Sequence, residues 1–284
     1  MLKRTLLCLV ALVVSLSATS SYGRAVTVLI SFDGFRWDYP LYYDTPFLDR
    51  MAAHGVEGSL IPSFPSKTFP NHYTLATGLR PEHHGIIANT FRDRATGARF
   101  SLGNPKTKFD PRFYHGEPLW LTAQRQGLHT AVFYWPGSDV AINGKRPDVW
   151  HKYDEKPHLT FAQRADSIVA YLKKKDAPDL VMAYFEEPDA SGHAFGPQSK
   201  NTRRAVETMD SLLASLWARI ERVGMKDKVN LVVVSDHGMT WFTPSRQIKP
   251  SDYLRKEWYD ALEGELPCNV YAPERWQQDS IVNA

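Results

Sequence analysis

Cysteine is nearly absent from this chain. Only Cys8 and Cys268 occur in 284 residues, and Cys8 lies inside an apolar N-terminal run. If that run is removed on export, Cys268 has no partner in the chain, which excludes an intrachain disulfide. Stability must then come from the packed core or from bound metal. Long apolar runs are scarce too. The one at Leu6–Leu16 follows Lys3 and Arg4 and precedes Ser21-Tyr22-Gly23, the pattern of a secretory signal over residues 1–23. It is well short of the roughly 20 residues needed to span a bilayer, so no stable membrane anchor is expected. With Cys8 in the run and not at its exit, no lipoprotein cleavage pattern is present. A dominant charge of one sign is also missing. The formal charge is +3, and it falls to +1 without the segment that carries Lys3 and Arg4. A balanced chain gives no electrostatic case for a nucleic-acid polymer or a membrane surface as main partner. There is no internal repeat, low-complexity tract or interdomain linker, and no feature specifies an oligomer. The reading is a periplasmic or otherwise secreted protein with one domain over residues 24–284.

What is present fits a soluble α/β fold. Hydrophobic residues make up 43% and charged residues 23% of the chain. Four short runs rich in β-branched and aromatic residues read as buried parallel strands: Val26 to Phe32, Thr130 to Trp135, Leu180 to Phe185 and Leu231 to Val234. Helical patterns lie between them, from Pro46 to Gly55, Asn71 to Gly78, Pro118 to Gly127, and Thr160 to about Lys175. The clearest, Asn201 to Val223, places Val206, Met209, Leu212, Leu213, Leu216, Ile220 and Val223 on one face and stops at Gly224. Alternation of this kind implies a mostly parallel central sheet with helices on both faces. Asn89 to Gly116 has no clear period and reads as loop and short irregular strands near the site. After Trp241 the pattern weakens, and no final strand–helix unit is read.

Three of the four strand runs end in acidic residues: Asp33-Gly34, Glu186-Glu187-Pro188-Asp189 and Asp236-His237-Gly238. Ligands of open α/β sheets bind beyond the carboxyl ends of the strands, so these groups should converge. Uncompensated, Asp33, Asp189 and Asp236 would repel one another and raise their own pKa values; divalent cations resolve that conflict. His237 follows Asp236, and His193 lies four residues after Asp189, adding the imidazole nitrogens that zinc favours. Two ions about 3.5–4 Å apart could clamp the attacking and leaving oxygens of a phosphoryl transfer. The attacking oxygen is assigned to Thr68, in Phe64-Pro65-Ser66-Lys67-Thr68-Phe69-Pro70, at a predicted helix N-terminus where an anion is favoured. Metal coordination would make its hydroxyl a nucleophile. Each piece alone has a blander reading: an Asp-Gly turn, a structural Asp-His pair, a helix-capping Thr. Together beside one hydroxyl they are hard to explain as folding devices.

The motifs Ile30-Ser31-Phe32-Asp33-Gly34, Phe64 to His72, Thr77 to Ile86, Trp135-Pro136-Gly137-Ser138, Phe185 to Asp189 with Ser191-Gly192-His193, and Ser235-Asp236-His237-Gly238-Met239 follow one another along the chain. In this order the chain resembles the nucleotide pyrophosphatase/phosphodiesterase family of the alkaline phosphatase superfamily. The resemblance implies an alkaline-phosphatase-like core and hydrolysis of nucleoside 5′-polyphosphates or related phosphodiesters through a nucleotidylated Thr68. It also implies two zinc ions, one held by Asp33, Thr68, Asp236 and His237, the other by Asp189 and His193. Asn89 matches the residue that hydrogen-bonds a non-bridging phosphate oxygen. Phe69 and Tyr153 match positions that hold the nucleobase by stacking. The resemblance further implies a late histidine as third ligand of the second zinc, and no histidine follows His237 here. That site is therefore expected to have two ligands, in a core expected to be incomplete at its C-terminus, with His72, His83 or His84 as conceivable substitutes. Two alternatives remain: a lysophospholipid or choline-type phosphodiesterase, and a nucleotide-binding remnant with little turnover.

Overall fold

Five parallel strands form the centre of the chain, in the order β5-β4-β6-β1-β7. They are β1 (Val26–Phe32), β4 (Thr130–Phe133), β5 (Val149–His151), β6 (Leu180–Phe185) and β7 (Val229–Val234). Two antiparallel pairs stand apart, β2 (Thr90–Arg92) with β3 (Arg99–Ser101), and β8 (Ala261–Glu263) with β9 (Asn269–Tyr271). The computed structural model describes residues 25–153, 157–264 and 268–284; the expected signal segment 1–23 lies outside the described residues.

Central position and composition go together. Val28, Ile30 and Phe32 of β1 and Val181 to Phe185 of β6 are buried, as a strand covered on both faces requires. β7 lies at the edge, and its Val232 is 40% exposed. β1 and β6 occupy the predicted residues. β4 stops at Phe133 and does not reach Trp135, because Tyr134 adopts φ 60°, a left-handed conformation that no extended strand contains. β7 starts at Val229, earlier than Leu231, because Val229 pairs with Val26. The three-residue β5 gives too short a pattern to read from sequence.

Helices flank the sheet. Lys200–Arg222 buries Val206, Met209, Leu213, Leu216 and Ile220, each worth about 1.5–3 kcal/mol relative to exposure. Leu212 is half-buried, and Val223 is the C-cap. Phe161–Leu172 packs beside it and opens with the expected Thr160, whose side chain accepts from Gln163 N while Gln163 reaches back to the Thr160 backbone. A second group holds Thr68–Thr77 and Leu119–Arg125, which bury Phe69, Tyr73, Trp120 and Leu121. Thr68–Thr77 begins three residues before the predicted Asn71, since Pro70 sits in the first turn, where its missing N–H costs nothing.

The aperiodic stretch 89–116 contains short strands between loops, as expected, in β2 and β3. Phe91 and Phe100 stack with centroids 4.9 Å apart across the β2–β3 pair, and Phe113 closes on both. The region after Trp241 also contains a strand followed by a helix, β9 and Arg275–Val282, contrary to expectation. This unit lies outside the main sheet: Glu263 pairs with Arg92 and Arg99, and the Tyr271 hydroxyl accepts from Arg92 N. Among the described residues no helix is long and apolar enough to cross a membrane.

Candidate metal centre

The three acidic strand ends belong to neighbouring strands, β6, β1 and β7, so they meet at one edge of the sheet. Backbone bonds continue the pairing past the strands: Asp33 N donates to Phe185 O, and Asp189 N donates to Asp33 O, both at 2.9 Å. On the other side Gly34 N donates to Asp236 Oδ1 at 3.2 Å, and Phe35 N to Ser235 Oγ at 3.0 Å. The Ser235 hydroxyl donates onward to His237 O at 2.7 Å. Arg36 clasps the same loop by donating to Met239 O.

Within this frame Asp33, Asp189 and His237 each offer a ligand atom, all within 4.8 Å of one another. His237 Nε2 lies 3.1 Å from Asp236 Oδ2, and 3.5 Å from both Asp33 Oδ1 and Thr68 Oγ1. Its other nitrogen, Nδ1, faces Gly238 O at 2.8 Å. A carbonyl can only accept, so Nδ1 carries a proton and Nε2 is the nitrogen left to face the carboxylates. A lone pair there would be repelled by the carboxylates unless a proton or a metal ion lies between them. Tetrahedral ligation with bonds of about 2.0 Å separates its ligand atoms by about 3.3 Å, which matches these spacings. Asp33 Oδ1, Asp189 Oδ1 and Asp236 Oδ2 are buried without hydrogen-bond partners, a costly state that metal ligation would relieve. The residues present therefore fit a metal ion.

The electrostatics agree. Burial pushes the Asp33 carboxyl well above its ordinary pKa, the charges of Asp236 and Asp189 push it further, and the Tyr184 hydroxyl, donating to Asp33 Oδ2 at 2.6 Å, opposes them. Asp189 is raised by burial, against the pull of His193 and His237. Burial acts the same way on Asp236, but His72 and His237 outweigh it and hold that carboxyl below its usual range.

Thr68 is the first residue of its helix. Lys67 is the N-cap and Thr68 Oγ1 faces His237, so the hydroxyl is not spent on capping. Asp189 opens the helix Asp189–Phe195, and His193, one turn later and 73% exposed, brings Nε2 to 3.5 Å from Asp189 Oδ2. Asp33, Asp236, His237, Thr68, Asp189 and His193 thus lie side by side at one edge of the sheet. Phe69 is 1% exposed, its ring against Phe100 and edge-on to Tyr153 at 5.1 Å. Tyr153 is half-buried and leans on Tyr184, so it is Tyr153 that presents aromatic surface, with Phe69 behind it. Asn89 Oδ1 is buried with no hydrogen-bond partner, and the Asn89 carbonyl accepts from Leu102 N.

The three earlier histidines offer no nitrogen to the Asp189–His193 pair. His72 Nδ1 is engaged with Thr68 O at 2.9 Å, His84 Nε2 with Thr74 Oγ1 and Pro70 O, and His83 is exposed. Tyr184 and Ser235 were not foreseen. The only sequence signal for Tyr184 is a polar atom inside a buried strand run.

A parallel α/β sheet with a carboxylate–imidazole centre at its carboxyl edge, beside a hydroxyl on a helix N-terminus, defines a candidate metal-dependent hydrolase of phosphate esters. The family model described as type I phosphodiesterase / nucleotide pyrophosphatase matches residues 27–282, and the chain belongs to that family. Human ectonucleotide pyrophosphatase/phosphodiesterase family member 1 is 39% identical over 233 residues, covering 80% of this chain and 25% of that protein. Human family member 5 is 34% identical over 274 residues, covering 95% and 57%. The venom phosphodiesterase of Macrovipera lebetinus is 36% identical over 253 residues, covering 87% and 29%. Among solved structures, an inactive threonine-to-alanine variant of murine member 5 in complex with AMP superposes with TM-score 0.81 at 34% identity, covering 92% of this chain and 69% of that one. The chain thus spans about a quarter of the length of several curated relatives.

Proposed function

We propose that this chain is an exported two-zinc phosphodiesterase. It cleaves nucleoside 5′-polyphosphates, or related phosphodiesters, to nucleoside 5′-monophosphates through a covalent threonyl intermediate. The observation that carries this reading is the Thr68 hydroxyl at a helix N-terminus, 3.5 Å from His237 Nε2 and beside the Asp33–Asp189–Asp236 carboxylates. Family membership supports phosphodiester hydrolysis, and the AMP-bound, threonine-substituted relative fits a nucleotide ester at a threonine.

Asp33, Asp236, His237 and Thr68 would hold one ion, Asp189 and His193 the other. When bound, zinc would supply the positive charge that favours the Thr68 alkoxide and balances charge developing on the phosphate. Thr68 Oγ attacks phosphorus; the new O–P bond forms as the bond to the leaving oxygen breaks, and that oxygen departs with the electron pair. Water then hydrolyses the threonyl ester, which releases the monophosphate and restores the hydroxyl. The free N–H groups of the Thr68 helix favour the phosphate, and Asn89 is assigned to donate to a non-bridging oxygen. Tyr153, backed by Phe69, is assigned to the nucleobase. Export rests on the signal pattern of residues 1–23.

Hydrolysis of p-nitrophenyl thymidine monophosphate, with and without chelator, tests the proposal. Chelator-insensitive turnover, or full turnover by Thr68→Ala, refutes it. Faster hydrolysis of p-nitrophenyl phosphorylcholine than of the nucleotide ester would move the substrate class to choline-type phosphodiesters.

A further inference from the structure

We infer that His72 is a positioning residue that ties the backbone of Thr68 to Asp236, and that its Nδ1 edge, not its bulk, does so. This rests on the reading of Thr68 as nucleophile and Asp236 as metal ligand given above. The ring is 0% exposed. Its Nδ1 lies 2.9 Å from Thr68 O and 3.3 Å from Asp236 Oδ2. Both oxygens are pure acceptors, so Nδ1 carries the proton. A single N–H thus grips the carbonyl of the attacking residue while lying against the carboxylate that would ligate the metal. On the opposite edge Nε2 pairs with Ser31 Oγ at 2.8 Å, on the central strand β1.

The ring has no freedom to turn away. Trp135 and Tyr184 meet it edge-to-face, at 5.1 and 5.0 Å between centroids. The Trp135 indole also donates to His72 O at 3.1 Å. Trp135 reaches this place because Tyr134 turns the chain at φ 60° immediately after β4. Tyr184 is the residue whose hydroxyl donates to Asp33. His72 therefore stands where β1, β4, β6 and the nucleophile's helix meet, its Nδ1 bonded to the Thr68 carbonyl and 3.3 Å from Asp236 Oδ2.

Ser31, His72 and Asp236 lie in the order of a hydrolytic triad, yet the His72 Nδ1 proton goes to Thr68 O and Ser31 is 0% exposed. No substrate atom reaches its oxygen. The network can hold residues in place but cannot attack, which separates it from nucleophilic catalysis.

Two amides distinguish the edges of the ring. An Asn side-chain amide reaches the place of Nδ1, whereas a Gln amide reaches the place of Nε2. Zinc affinity, by competition with a chromophoric chelator, and p-nitrophenyl thymidine monophosphate kinetics are measured on the full chain for wild type, His72→Asn, His72→Gln, His72→Leu and Ser31→Ala. His72→Asn is expected to stay within about threefold of wild type in zinc affinity. His72→Gln and His72→Leu are expected to lose about 10–100-fold, as metal sites do when an orienting partner is removed, and to lower kcat with KM little changed. Ser31→Ala is expected to cost a few-fold at most. Gln equal to or better than Asn, wild-type affinity in all His72 variants, or a Ser31→Ala loss as deep as that of Thr68→Ala overturns the inference. If Leu does not fold, judged by near-UV circular dichroism, the Asn–Gln order still decides, and failure of Asn to fold where Gln folds also overturns it. The zinc order is read even if wild type does not hydrolyse the ester, which would sink only the functional reading. Unchanged zinc affinity in Asp236→Asn would instead remove the ligand assignment beneath both.

Discussion

Gly34 and Asp189 stand closer than any side chain at position 34 would permit: a Cβ on Gly34 would lie 2.9 Å from Asp189 Cβ, and Gly34 itself adopts φ +67°. Only glycine combines that conformation with that approach. The contact brings the end of β1 against the start of the Asp189–Phe195 helix, and so sets the spacing between Asp33 and Asp189. Gly34→Ala is expected to destabilise the protein by about 1–3 kcal/mol in urea denaturation and to weaken zinc binding as well. Wild-type stability in that variant would show that the loop yields freely.

Thr68→Ala removes the only atom assigned to attack phosphorus. We expect turnover of the nucleotide ester to fall at least about 10³-fold, while thermal stability and zinc content change little. Thr68→Ser should retain measurable turnover and, after denaturing quench, carry a nucleotidyl mass on the peptide that contains residue 68. A variant that loses fold and turnover together would point to a structural hydroxyl.

The two donor groups should empty separately. Asp189→Asn and His193→Ala are expected to lower bound zinc by about one equivalent while the Asp33–Asp236–His237 group keeps its own, and His237→Ala should do the reverse. Elemental analysis of dialysed protein reads this directly. Loss of all metal from any one substitution would mean a single shared site.

Tyr184→Phe deletes the donor that opposes burial at Asp33 and leaves the aromatic packing in place. Zinc affinity should drop by about 10-fold or more, with a melting temperature of the chelated protein close to that of wild type. An unchanged affinity would show that the hydroxyl serves packing alone.

His84 gives a pH dependence independent of metal. Its Nδ1 accepts from Ile86 N, so the buried ring is neutral, and burial lowers its pKa from 6.5 to about 4. The unfolded chain therefore binds a proton that the folded chain refuses between those values. Stability from this residue is complete above about pH 6.5 and is lost as the pH falls toward about 4, with a ceiling of about 3 kcal/mol. Urea midpoints of the chelated protein across this range should fall less steeply for His84→Gln than for wild type.

The sequence disclosed strand-end acids well because an acid directly after an apolar run has only one place to go in a parallel sheet. Asp33, Asp189, Asp236 and His237 were therefore legible, and so were β1 and β6, whose continuous apolar runs leave no alternative face. Interactions that depend on three-dimensional neighbours were not. Tyr184 reads as an ordinary strand aromatic until register sets it opposite Ser31. The early end of β4 depends on the left-handed backbone of Tyr134, which no side-chain pattern announces. The partners of His72 are hidden for a related reason, since its nitrogens are divided between Ser31 and Thr68, which only the fold brings together.

The centre draws on strands far apart in the chain. Tyr184 and Asp33 are 151 positions apart, and Gly34 and Asp236 are 202. High contact order of this kind makes folding slow, and the donors are assembled only once β1 lies between β6 and β7. A metal ion bound at this centre would therefore report that the last long-range strand has docked.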